Sequence, residues 1–165
     1  MTLEKYLEDI AKLLTKLRKY KPIRNKFPYE ALPKDGYILN YILDAKGLFR
    51  QLNGNILPNR PLNFVITKGG YLKIGIRHHL LGNGEDVLMA GGIRFKNGKI
   101  AELNNLSGHY KPTPEQASVL ESLLKDVGLP VKRAKYEIST ISSNSNGYAT
   151  GTKKVKTIFI DNINL

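Results

Sequence analysis

The sequence predicts an α+β protein: N-terminal helices, then a mainly antiparallel twisted sheet with one later helix. Three observations lead there. Apolar residues recur at three- and four-residue spacing before position 53. After Pro61 the pattern changes to short runs of β-formers paired about Gly-containing turns. One strongly marked helix start, Thr113-Pro114-Glu115-Gln116, then interrupts the strands.

The first helix is expected over 3–18, with Leu3, Tyr6, Leu7, Ile10, Leu13, Leu14 and Leu17 on one stripe and Thr2 as N-cap. "KYKPIRNKFPYEALPK" follows, rich in proline and cations, and reads as a basic linker. Asp35 is a candidate cap for a second helix, "YILNYILDAKGLFRQL". "LNFVIT" and "YLKIGI" flank "KGG" as a hairpin. "VLMAGGIRF" and "KIAELNN" flank "KNGK", where Asn97-Gly98 suits a type I′ turn. Gly91-Gly92 inside a strand signals a bulge or a close backbone approach. Thr113 caps a helix with Pro114 at its first position and Gln116 closing a capping box; Gly128 stops it. "VKRAKYEIS" and "KKVKTIFID" are late strands, and the polar "TISSNSNGYATGT" between them reads as a mobile loop. The expected division is residues 1–54 as a helical segment with a basic linker, and 55–165 as the compact catalytic domain.

The charge balance is the loudest compositional signal. Lys and Arg number 26 against 14 Asp and Glu, a net charge of +12. Such a field favours polyanions, nucleic acid first among them. Cysteine is absent, so disulfides, thiolate nucleophiles and thiolate metal sites are excluded. Three histidines, two of them adjacent, argue against a zinc site, so neither metal nor cofactor is expected. No apolar run is long enough to span a membrane, and no membrane insertion is expected.

Three stretches could carry chemistry. "GIRHHLLGNGED" brings Arg77, His78 and His79 to the end of a predicted strand. Adjacent strand residues point to opposite faces, so at most one of the two histidines should enter any one site. "SGHYKP" supplies Ser107, His109, Tyr110 and Lys111 just before a helix start. The polar stretch Ser139–Thr152 is followed by Lys153 and Lys154. Metal-free RNA cleavage needs such parts: a base for the 2′-OH proton, an acid for the leaving 5′-oxygen, and a donor for the charge on phosphate. His78 and His109 are the expected acid–base pair, with Arg77 and Lys111 on the phosphate and Tyr110 and Ser107 positioning substrate. His79, Thr113, Lys153 and Lys154 are further candidate substrate contacts. The bland alternative makes the Gly-His-Tyr loop a structural clip on a binding module.

The run "RHHLLGNGEDVLMAGGIRFKNGKIAELNNLSGHYKPTPEQ" resembles a module patterned as basic-His, a Gly-rich loop, Ala-Gly, a turn, then Ser-Gly-His-Tyr-x-Pro-Thr. This pattern is similar to plant IQ-motif calmodulin-binding proteins and to C-terminal toxin modules of bacterial polymorphic and contact-dependent inhibition systems. Arg77, His78, Ala90, Gly91, Ser107, Gly108, His109, Tyr110 and Pro112 fall in its register, while His79 stands where the pattern has serine. The chain has no IQ helix, so calmodulin binding is not implied. The toxin resemblance implies an antibacterial ribonuclease acting on tRNA with a fold like that of barnase, EndoU, colicins and RelE. It also implies delivery from a secreted or cell-surface bacterial protein into the target cytoplasm, and an acidic immunity protein binding as a 1:1 complex with an otherwise monomeric toxin. An ADP-ribosyltransferase toxin is the competing enzyme class, through the loose likeness of "EISTISS" to its Ser-Thr-Ser strand. No Glu-x-Glu or Gln-x-Glu follows that stretch.

Overall fold

The computed structural model describes residues 2–162. Helix α1 spans Leu3–Leu17, and Thr2 caps it by accepting the Lys5 N–H. A seven-stranded sheet forms the body, ordered β1-β5-β4-β6-β7-β8-β9. Its strands are β1 (Tyr37–Ile38), β4 (Leu62–Thr67), β5 (Leu72–Ile76), β6 (Val87–Lys96), β7 (Lys99–Asn104), β8 (Val131–Ser143) and β9 (Ala149–Asn162). All pairings are antiparallel except β7 with β8, whose parallel register aligns Leu103 with Tyr136. That parallel step needs a long crossover. It carries the short helices α3 (Pro114–Ala117) and α4 (Leu120–Asp126). The predicted capping box at Thr113 and Gln116 is present.

The second expected helix is absent. Residues 37–51 instead form β1 and a small hairpin, β2 (Tyr41–Leu43) with β3 (Phe49–Gln51). The reason is the Asp44-Ala-Lys-Gly47 turn. Asp44 Oδ1 accepts from Lys46 and Leu48 N–H, and Gly47 takes φ +79°. An Asx turn closed by a left-handed glycine reverses the chain where a helix would continue. The same device, Asn144 with Gly147 at φ +86°, turns β8 into β9, so most of the expected mobile loop is ordered ladder. Asn97 and Gly98 both have positive φ, as a type I′ turn requires.

One core binds these parts. Phe64, Val65, Ile66, Met89, Phe95, Leu120, Leu123 and Tyr136 are fully buried, and so are Ile23 and Phe49 from the N-terminal third. Ile23 forms a β-bridge with Val87, which ties the basic arm to the sheet. No helix among the described residues is long and apolar enough to cross a membrane.

Candidate functional site

The two histidine-bearing stretches leave the sheet at one place. β5 ends beside β4, where Asn63 aligns with both Gly75 of β5 and Gly92 of β6. β7 ends at Asn104, whose Oδ1 accepts from the Gly92 N–H. A Cβ on Gly92 would lie 2.6 Å from Asn104 Nδ2, and one on Gly91 would overlap the Asn104 carbonyl. Gly91 therefore marks a close approach of backbones, as its place in a strand suggested, and Gly92 makes room for the Asn104 side chain.

After Ile76 the chain breaks from the strand at Arg77, which has φ +72°, and enters the one-turn helix α2 (His78–Leu81). The expectation that only one of His78 and His79 could reach a site fails here. The strand has already ended, and both residues line the same open cleft of about 410 Å³. Arg77, Asp35, Asn63, Glu30, Gly108 and His109 line it too.

The histidines have different environments. His78 is buried and gives its Nε2–H to the Gly91 carbonyl at 2.6 Å. Burial pushes its pKa down to about 4, so it is neutral at pH 7 and ties α2 to β6. His79 is 2% exposed, and its ring stacks on His109 with centroids 4.4 Å apart. Burial, then the nearby His109, lowers the His79 pKa. His109 is partly exposed, and its Nε2 lies 2.9 Å from Glu30 Oε2. Glu30 comes from the basic arm and was not singled out in the sequence. The arm is held in place as Lys26 N–H donates to the His109 carbonyl at 2.7 Å and Lys26 Nζ to the Tyr110 carbonyl at 2.9 Å. Asn25 fixes it further, taking its N–H to Asp86 and its side-chain amide to Gly84.

Comparison with protein-family models, curated proteins and solved structures finds no match.

Several predicted contacts have other duties. Tyr110 is fully buried and donates to the Glu85 carbonyl at 2.6 Å, so it cannot stack on a bound base. Burial also pushes its pKa up to about 12. Ser107 is buried, and its Oγ accepts the Tyr110 N–H. Thr113 is the N-cap of α3. Arg77 is engaged with Asp35 at 2.7 Å, a hydrogen bond that also holds the Asp35 carboxyl below its usual range. Lys153 and Lys154 lie on the exposed β9, opposite Thr140 and Ser139, and are not part of the cleft lining. Lys111 stays beside the site: its Nζ lies 5.2 Å from the Phe27 ring, which in turn meets His109 edge-on at 5.3 Å. Burial lowers the Lys111 pKa. Lys26 is lowered by burial first, then by Arg24 and Lys111, which places three cations within electrostatic reach of one another.

Phe27 also stacks on Tyr148 from the β8–β9 turn, with centroids 4.9 Å apart, and Tyr148 is half exposed. This aromatic pair beside the cations had no signal in the sequence, because its members lie 121 residues apart in numbering, Phe27 to Tyr148. Asn105 went unmarked as well. It is fully buried, donates to the Pro112 and Ser139 carbonyls, and accepts from the Ser139 N–H. It thereby pins the Ser-Gly-His-Tyr loop to β8.

Proposed function

We propose that this chain is a metal-independent endoribonuclease. The observation that carries the reading is the His109–Glu30 pair in an open cleft, flanked by Lys111 and the Phe27–Tyr148 stack, on a chain of net charge +12. Cations and stacked aromatic rings beside the cleft suit single-stranded RNA, which such surfaces bind without needing a particular sequence. In the tautomer that carries its hydrogen on Nε2, His109 donates to Glu30 and keeps the Nδ1 lone pair to take a proton. His109 removes the 2′-OH proton, and O2′ attacks phosphorus to close the cyclic phosphate. The 5′-oxygen leaves with a proton from the Lys111 ammonium, which sits over the Phe27 ring beside His109. Arg77 lines the cleft and would be available to the phosphate once its Asp35 contact opens. His79 backs the His109 ring, and His78 takes no proton step.

The choice of tRNA as substrate, the antibacterial role, delivery into a target cytoplasm and an acidic immunity protein rest on the toxin-module resemblance of residues 77–116. The +12 charge supports the last of these, since it would speed encounter with an acidic inhibitor.

The test is total RNA from cells induced to express the chain, run beside His109→Ala with folding checked by circular dichroism. Discrete tRNA fragments from the parent and none from the variant are expected. Growth arrest with intact RNA refutes the ribonuclease reading and favours protein or nucleotide modification. Fragments produced equally by both remove His109 from the reaction.

A further inference from the structure

One oxygen of Glu30 and one ring nitrogen each of His79 and His109 lie within 4.8 Å of one another. They come from three separate segments: the basic arm, α2 and the loop after β7. Two imidazoles and a carboxylate are the donor set that borderline divalent ions prefer. Counting histidines along the chain hid this set, because the third ligand is a carboxylate from a segment read as a linker. Bonds of about 2.1 Å bring ligand atoms to roughly 3.4 Å apart. Imidazole ligates through a lone pair in its ring plane, so the His109 ring must turn out of its stack on His79, where the planes are 22° apart, before both nitrogens face one ion. Glu30 and His109 are partly exposed and free to move, while His79 is held by packing. The open cleft in front of them leaves room for water in the remaining coordination positions. The other carboxylate of the cleft, Asp35, is already taken by Arg77.

We propose that Glu30, His79 and His109 bind one divalent transition-metal ion of the zinc class, and that the bound ion blocks the proton transfers of the cleft. Ligation takes the ring lone pairs of both histidines and replaces the Glu30–His109 hydrogen bond. Binding rests on the nearness of the three donors and on the turn of the His109 ring, and not on the ribonuclease reading. The blocking effect rests on the ribonuclease reading above.

The full chain is stripped of metal with chelator and titrated with Co²⁺, followed by its visible d–d absorption, and Zn²⁺ is then added in competition. One Co²⁺ per chain is expected, displaced by Zn²⁺ and weakened at least about tenfold in Glu30→Gln and in His109→Gln. Long-range ¹H–¹⁵N spectra of the imidazoles should show Zn²⁺ shifting two of the three rings and sparing that of His78. Absence of saturable binding overturns the site. So does unchanged affinity in both folded variants, or a shift confined to one ring. In the cleavage assay, one equivalent of Zn²⁺ should stop RNA breakdown and chelator should restore it. A fully bound protein that still cleaves at its metal-free rate overturns the blocking role. A protein that binds the ion and never cleaves RNA refutes the ribonuclease reading and leaves the metal site standing.

Discussion

His78 and His79 are neighbours in sequence with separate duties, and acid can tell them apart. His78 is held neutral by burial with its pKa at about 4, against 6.5 for a free histidine. Above pH 6.5 the ring is neutral folded or unfolded and contributes no pH dependence. As pH falls below 6.5 the unfolded chain takes a proton that the native state refuses, so stability is lost. The loss is complete once pH drops below about 4. With these two pKa values, the linkage gives a loss of about 2 kcal/mol between pH 7 and pH 5 from this one ring. The comparison is His78→Gln, which keeps an N–H for the Gly91 carbonyl and cannot titrate. Urea unfolding of both proteins at pH 7 and pH 5, in chelator-containing buffer, isolates the effect, since His79 and His109 remain in both. Wild type should lose about 2 kcal/mol more than the variant. Parallel losses would show that the imidazole is not held neutral and would reopen a proton-transfer role for it.

Other substitutions probe the supports of the cleft. Asn105→Ala leaves the Ser139 N–H and the Ser139 and Pro112 carbonyls without partners, and should cost about 3 kcal/mol or more in denaturant unfolding. Gly91→Ala drives a methyl into the Asn104 carbonyl and should destabilise by about 1–3 kcal/mol, seen as a lower Tm. Phe27→Ala removes the partner of Tyr148 and the face under Lys111. It should weaken binding of a single-stranded oligonucleotide by about 1–3 kcal/mol, read by fluorescence anisotropy, with little change in far-UV circular dichroism.

Local rules account for what could be read from the chain. Strands β4 to β7, the Asn97-Gly98 turn and the capping box at Thr113 depend on side-chain alternation, positive φ and a reciprocal hydrogen bond between residues three apart. Each of these is encoded within a few positions. The stretch at 37–51 was misread because paired apolar residues satisfy both periods, and one Asx turn at Asp44 decided for strand. The extension of β8 and β9 past Ser139 and Lys153 was missed for a similar reason. Polar residues in an exposed two-stranded ribbon carry no hydrophobic alternation to detect.

The sequence by itself determined the α+β class and the basic charge balance, and it pointed to the Arg77-His78-His79 and Ser107–Lys111 stretches as candidates. Only the tertiary structure decided which members of those stretches face the cleft. Tyr110 and Ser107 went to the core and the loop, and His78, though it lines the cleft, gives its Nε2–H to a backbone carbonyl. His79 and His109 met in a stack, and Glu30 arrived from a proline-rich arm held by Lys26, Asn25 and Ile23. Such partnerships join residues far apart in the chain. They follow from burial and from where backbone groups find hydrogen-bond partners, and neither is set by the neighbouring letters.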